Sequence, residues 1–397
     1  MSHDPVVIVS AARTPMGGMQ GDFATVTGPE LGGVAIKAAV ERSGISPEAV
    51  QEVIMGCVLP AGVRQAPARQ ASLNAGLPLS AGCTTINKVC GSGMKATMLA
   101  HDLLVAQTND VMVAGGMESM TNAPYMAPKA RSGYRLGHGQ FLDHMFFDAL
   151  EDAYSPETRG RLMGTFAEEC AESYGFTRKE QDDFAITSTL RAQQAIKDGS
   201  FEWEIAPVTV STRKGDVVIS TDEQPPKANV DKIPTLKPAF KKDGTVTAAN
   251  SSSISDGAAA LVLMRRSVAD KLGAKPLATI IGHATNSIEP SLFPIAPVGA
   301  MQKLLAKTGW TTDQVDLWEI NEAFAVVTMA GIRDLKLDHA KVNIHGGACA
   351  LGHPVGASGS RIITTLLGAL RKTGGKRGVA SLCIGGGEAT AIAIEMN

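Results

Sequence analysis

One design recurs in the two halves of this chain, and it limits the fold more than any other feature. Residues 46–58 and 311–323 share a polar helix-start turn, a short acidic link and a buried β run. Further along each half comes a glycine-rich helix start, at Cys90-Gly91-Ser92-Gly93 and between Gly352 and Gly359, then an apolar helix and a β run. Val53 to Val111 spans 58 positions and Leu317 to Val379 spans 62, so the halves keep register within a few residues. Strands alternating with helices predict an α/β fold: two duplicated βαβ-rich halves with mixed, mostly parallel sheets.

Between the halves the character changes. Residues 122–251 are rich in Met, Tyr, Pro and charge and read as an inserted loop domain. Within it, Thr177 and Glu180 form a capping-box pattern that predicts a helix running towards Asp198. The β-like run 258–264 then returns the chain to its first half. The expected domains are 1–121 with 252–275 as the first half, 122–251 as the insert, and 276–397 as the second half.

The glycine-rich turns carry reactive side chains. Cys90 stands where a β-favouring run meets a helix start, so backbone N–H groups and the helix dipole are expected to favour its thiolate. His353 sits in the second such turn and offers a base. Cys383 ends a β run ahead of Gly385-Gly386-Gly387, where backbone N–H groups can approach a ligand closely. Asn321 ends a further run; read alone, it fits a helix N-cap equally well. In parallel α/β sheets ligands gather at the carboxyl ends of strands, so Cys90, Asn321, His353 and Cys383 are expected to converge.

A thiolate and a histidine suit acyl transfer, with His353 taking the thiol proton and later returning it to the leaving group. A second cysteine beside backbone donors suits abstraction of a proton α to a carbonyl, with the Gly385 N–H stabilising oxyanion charge. Together they describe a Claisen condensation.

Composition excludes several other classes. With 44% hydrophobic residues, 19% charged and a formal charge of −2, nothing implies nucleic acid or an anionic membrane as a partner. No apolar run approaches the roughly 20 residues that span a bilayer. The six cysteines lack paired short spacings, which argues against disulfides and zinc, so no metal set is read. Residues 1–5 show no targeting pattern, and the expected location is the cytoplasm.

Residues 87–93, Asn321-Glu322-Ala323-Phe324, residues 346–359 and Cys383-Ile384-Gly385-Gly386-Gly387 resemble the four signatures of the thiolase family, over the length of the chain. With residues 244–250 added, the sequence is most similar to the family's biosynthetic acetoacetyl-CoA branch. The resemblance implies that Cys90 is acetylated by acetyl-CoA and that Cys383 deprotonates a second acetyl-CoA, giving acetoacetyl-CoA and CoA in a reversible ping-pong reaction. It implies one oxyanion hole from His353 and a water held by Asn321, and another from the N–H groups of Cys90 and Gly385. It further implies a homotetramer, with acyl-CoA thioesters as substrates and no permanently bound cofactor.

Contacts to CoA follow from the same resemblance. Ser252 matches a serine near the pantetheine, and Phe324 and Met163 would line that channel. The family's nucleotide-facing arginine falls near Pro225, leaving Lys227 as a substitute, and Leu162 stands where a histidine is common. Phe293-Pro294 matches members that accept a 2-methyl-branched substrate. Those members hold potassium partly through a loop tyrosine, and no tyrosine occurs around Glu223-Gln224-Pro225-Pro226. His345 and Cys349 read as packing substitutions, and residues 112–120 as interface material by analogy. The alternatives are a broader-chain 3-ketoacyl-CoA thiolase of fatty-acid β-oxidation, which would use the same four residues, and a non-catalytic acyl-CoA or lipid-binding relative, which should have lost one of them.

Overall fold

The computed structural model describes residues 4–397; residues 1–3, part of the stretch read for targeting, lie outside it. The first half runs β1 (Val6–Arg13), the two-residue β2 (Gly17–Gly18), α1 (Gly28–Ser43), β3 (Glu52–Gly56), α2 (Pro67–Asn74), β4 (Gly82–Ile86), α3 (Ser92–Val105) and β5 (Val111–Ser119). The intervening stretch carries the strand pairs β6 (Tyr125–Met126) with β7 (Leu142–Asp143) and β8 (Val208–Thr212) with β9 (Gly215–Ile219). Its helices are α4 (Met163–Tyr174), α5 (Arg178–Lys197) and the short α6 (Gln224–Lys227). Then follow β10 (Ser255–Arg265), α7 (Arg266–Leu272), β11 (Ala278–Ser287), α8 (Ala296–Thr308), β12 (Leu317–Ile320), α9 (Ala325–Leu335), α10 (Ala348–Leu351), α11 (Ser358–Thr373), β13 (Arg377–Ile384) and β14 (Glu388–Met396).

The main sheet has the order β12-β13-β14-β11-β1-β10-β5-β3-β4, with β2 beside β10. The duplication is visible in it. Parallel β3 and β5 are followed by antiparallel β10 and β1, just as parallel β12 and β13 are followed by antiparallel β14 and β11. A parallel bridge from Trp318 to Val342 occupies the place that β4 takes beside β3.

The expectation of mostly parallel strands needs correcting. Among the described residues, six pairings of this sheet are antiparallel and three are parallel. The reason lies in the connections: β14 follows β13 through a three-glycine turn, and β10 returns from a long excursion, so neither needs a crossover helix. The halves also share one sheet, through two β1–β11 pairs, Val7 with Thr279 and Ile8 with Ala278.

Both faces of that sheet are covered, and β1 records this as eight consecutive buried residues. Val7 and Val9 face an outer core under α1 and α2. Val6 and Ile8 join Met94, Ile362, Leu366, Ala380 and Ile392 in an inner core shared by both wings of the sheet with α3 and α11. A third core packs α8 on the outer face of β12, β13 and β14. The result is helices, sheet, two central helices, sheet, helices. In this arrangement β5 is buried at all nine positions, between β10 and β3, and so cannot supply the interface read at residues 112–120.

The insert rests mainly on the second half. Its helix α5 begins at the capping box formed by Thr177 and Glu180, each satisfying the other's backbone donor. Ser188 on that helix donates to Glu322, and Arg191 donates to the carbonyls of Val342 and His339. One buried ion pair ties the insert to β1: the Arg13 guanidinium reaches Asp222 at 2.7 Å and also contacts Glu204.

Candidate active site

The Cys90 turn follows β4, and side chains hold it in shape. Asn87 Oδ1 accepts the Val89 N–H at 2.8 Å, while Ser92 Oγ accepts the Lys88 N–H and donates to the Val89 carbonyl. Val89 takes φ 45°, a left-handed conformation that is costly for a β-branched residue and must be imposed by its surroundings. The strained residue presents Cys90 just ahead of α3, half-buried.

Two glycines bring the second turn against the first. A Cβ on Gly359 would stand 2.2 Å from the Met94 nitrogen, and one on Gly93 would stand 2.8 Å from the Ser360 nitrogen. With hydrogens there instead, the starts of α3 and α11 touch. Cys90 and His353 thereby enter one cavity of about 360 Å³.

That cavity is also lined by Cys383, Gly385, Ser252, Met163, Phe293 and Phe324. Seven of the predicted residues thus join Cys90 around a single space. Asn321 lies behind it, buried, with its Nδ2 3.5 Å from His353 Nδ1. Lys227 does not join them: it pairs with Glu223 at 2.7 Å on α6 and lines a neighbouring cleft with Asn229 and Lys232. Ala248 borders both spaces.

The hydrogen-bond network assigns the histidine tautomer. Ser358 Oγ donates to the Pro354 carbonyl at 2.9 Å, so its lone pair is left to accept from His353 Nδ1, 2.5 Å away. Nε2 is then the unprotonated nitrogen, buried and without a hydrogen-bond partner among the described residues. Burial, reinforced by the Arg361 charge, holds the imidazole down to about 3, so it is neutral and can accept a proton.

The thiols depart from expectation. Burial pushes Cys90 up to about 11, against hydrogen bonds from the Gly385 backbone and its own, with Glu118 raising it further. The helix start therefore does not yield a thiolate in the unliganded protein, because desolvation outweighs a partial dipole charge. Cys383 is raised well above the usual range, first by burial and then by repulsion from Cys90. The two sulfurs oppose each other's ionisation. One proton acceptor, two thiols and the Gly385 N–H directed at sulfur make an arrangement that can carry out acyl transfer and carbon-acid deprotonation.

Supporting residues escaped the sequence reading. Glu118 at the end of β5 accepts N–H bonds from Val58, Leu59 and Gly356, which ties the histidine turn to the first half. Burial raises its carboxyl to about 7 against those three donors. Arg361, fully buried on α11, lies 3.5 Å from Asn321 Oδ1 and 3.8 Å from Glu319, whose carboxyl burial raises to about 8. An arginine in the first turn of a helix that is otherwise small or aliphatic up to Leu370, and a glutamate near the end of a Gly-Gly strand, were the available signals. His345 and Cys349 do pack: the first meets Phe201 edge-on and the second donates to the Glu322 carbonyl.

The N-terminal domain of the thiolase family matches residues 6–267, and its C-terminal domain matches residues 274–396. The chain belongs to the thiolase family. This thiolase is 49% identical over 392 residues to an acetyl-CoA acetyltransferase of Cupriavidus necator, covering 98% of this chain and 99% of that one. It is 48% identical over 397 residues to an acetyl-CoA acetyltransferase of Schizosaccharomyces pombe, covering all of both chains. Among solved structures, the Bacillus anthracis acetyl-CoA acetyltransferase superposes with a TM-score of 0.96 at 41% identity, covering 100% of this thiolase and 99% of that chain.

Proposed function

We propose that this thiolase is an acetyl-CoA C-acetyltransferase that condenses two acetyl-CoA molecules to acetoacetyl-CoA and CoA, reversibly. The observation that carries the reading is the single cavity holding Cys90, Cys383 and the bare Nε2 of His353. Two curated relatives named acetyl-CoA acetyltransferase at nearly half identity support it.

In the first half-reaction Nε2 takes the Cys90 proton as sulfur bonds to the thioester carbonyl carbon, and the bond to the CoA sulfur then breaks. The departing CoA thiolate takes the Cys383 proton, leaving that thiolate beside the imidazolium. Once acetylated, Cys90 can no longer ionise, so no second thiolate opposes that of Cys383. In the second half-reaction Cys383 removes a methyl proton from the next acetyl-CoA, and the carbanion attacks the acetyl group on Cys90. The released Cys90 sulfur recovers its proton from the imidazolium. Asn321, through a water, and the N–H groups of Cys90 and Gly385 stabilise the oxyanions. Ser252, Met163, Phe293 and Phe324 flank the pantetheine arm, and Lys227 meets the nucleotide end past Ala248.

No resident cofactor enters this scheme; replacing potassium by sodium should leave kcat/KM within about twofold, since no step uses the ion. The assembly we infer is a homotetramer, which sedimentation would test, working in the cytoplasm. No helix among the described residues is long and apolar enough to cross a membrane. The deciding experiment is thiolysis of acetoacetyl-CoA against a C8 3-ketoacyl-CoA. Turnover confined to the C4 substrate and its 2-methyl form supports the proposal, strong C8 turnover makes the chain a degradative thiolase, and turnover of neither leaves a binding protein.

A further inference from the structure

Along α3 from Cys90, a second cluster joins the two halves of the molecule. His101 and Asp102 lie on α3, and His283 lies on β11. Asp102 Oδ1 stands 3.1 Å from His101 Nδ1 and 2.9 Å from His283 Nε2. The three ligand atoms fall within 4.8 Å of one another. The two imidazoles cross at 87° with centroids 5.0 Å apart.

These figures match a coordination shell. Ligand atoms at about 2.0–2.1 Å from a tetrahedral ion sit roughly 3.3 Å from each other, and two imidazoles on that ion have centroids about 5 Å apart. The carboxylate contacts need open only by a few tenths of an ångström, and the nitrogen pair, within 4.8 Å, must close by up to about 1.5 Å. We propose that His101 Nδ1, His283 Nε2 and the Asp102 carboxylate bind one Zn²⁺ or similar first-row divalent ion, with a fourth position open to solvent.

Two imidazoles and one carboxylate favour zinc over magnesium or calcium, which prefer oxygen. The ion takes His101 Nδ1 and His283 Nε2 as lone-pair donors, so each imidazole then carries its proton on the other ring nitrogen. The opposing charge is Lys307, whose Nζ donates to the His283 carbonyl at 3.3 Å rather than to the ring. Asp102 is exposed, which leaves an entry path. Bound there, the ion clips α3 of the first half to β11 of the second and takes no part in acyl transfer.

The probe is Co²⁺, added to the metal-free full chain and followed by its visible tetrahedral absorption, with Zn²⁺ competition and thermal unfolding alongside. We expect one equivalent bound and a higher unfolding midpoint with Zn²⁺. Both effects should persist in a Cys90→Ala/Cys383→Ala variant, which removes the thiols of the catalytic cavity. His283→Gln and Asp102→Asn should each weaken binding at least about tenfold while keeping metal-free thiolysis, which shows that they fold. Binding lost with the two cysteines, binding unchanged by His283→Gln and His101→Gln, or no binding of the first equivalent would each overturn the proposal.

Discussion

The two glycine-rich helix starts are built alike and used differently. The first follows β4, at the edge of the sheet, and α3 buries eight of its fourteen residues. The second opens α11, which is buried continuously from Ser358 to Leu370. The exposed side presents the half-buried Cys90 on a strained Val89; the dry side holds His353 neutral, with its tautomer set by Ser358. A nucleophile must meet substrate, whereas a base in this site must stay uncharged. The strand ends diverge in the same way. Val53 pairs with Val113 and Trp318 with Val379, so Met117 and Cys383 occupy matching places four residues on. Met117 is spent on the outer core, whereas Cys383 faces the cavity, because β13 turns at once through Gly385 while β5 runs on into the insert. Duplication thus supplied two frames, and the proposed catalysis uses different positions of each.

The most severe break removes the nucleophile from the first frame. Cys90→Ser should cost on the order of 10³-fold or more in kcat for both condensation and thiolysis, and should abolish acetyl-enzyme detected by mass spectrometry. Removing the base from the second frame separates the two steps: Cys383→Ala should lose a similar factor in condensation yet still become acetylated at Cys90, more slowly because CoA then leaves without the Cys383 proton. If that variant fails to acetylate, the two cysteines are not divided as proposed.

A smaller loss is expected behind the cavity. Asn321→Ala should lower kcat by about 10²-fold, as for loss of one oxyanion-hole donor, with little change in KM. Contact between the frames is tested by Gly359→Ala, whose Cβ meets backbone rather than a movable side chain. It should destabilise by roughly 1–3 kcal/mol in urea unfolding, more than a glycine-to-alanine change on an open helix surface.

The pH dependence sharpens the comparison at the finest scale. With the Cys90 thiol pushed up to about 11 and His353 held down to about 3, the resting pair is neutral through pH 7. Iodoacetamide should therefore modify Cys90 faster by about tenfold per pH unit from pH 7 to 10, as the thiolate fraction grows. A plateau beginning below pH 8 would mean that an ion pair exists before substrate binds.

Much of this site can be read along the chain because glycine-rich turns after β runs are local. They announce where a helix starts and which side chain opens it, so Cys90, His353, Cys383 and Gly385 could be named from their neighbours. The surroundings of Lys227 are not local in this way: its ammonium is engaged by Glu223, outside the cavity and in the cleft that Ala248 shares with it. Arg361 and Glu118 were missed because their roles depend on partners 40 and 238 positions away.

The sequence by itself determined the duplicated α/β plan and named the candidate residues at its turns, since each is encoded in short-range pattern: period, cap and turn. Only the tertiary structure decided that one sheet joins both halves, that most of its neighbours run antiparallel, and that the thiols rest protonated. Strand partners and desolvation are properties of what packs around a residue, and a local pattern does not contain them.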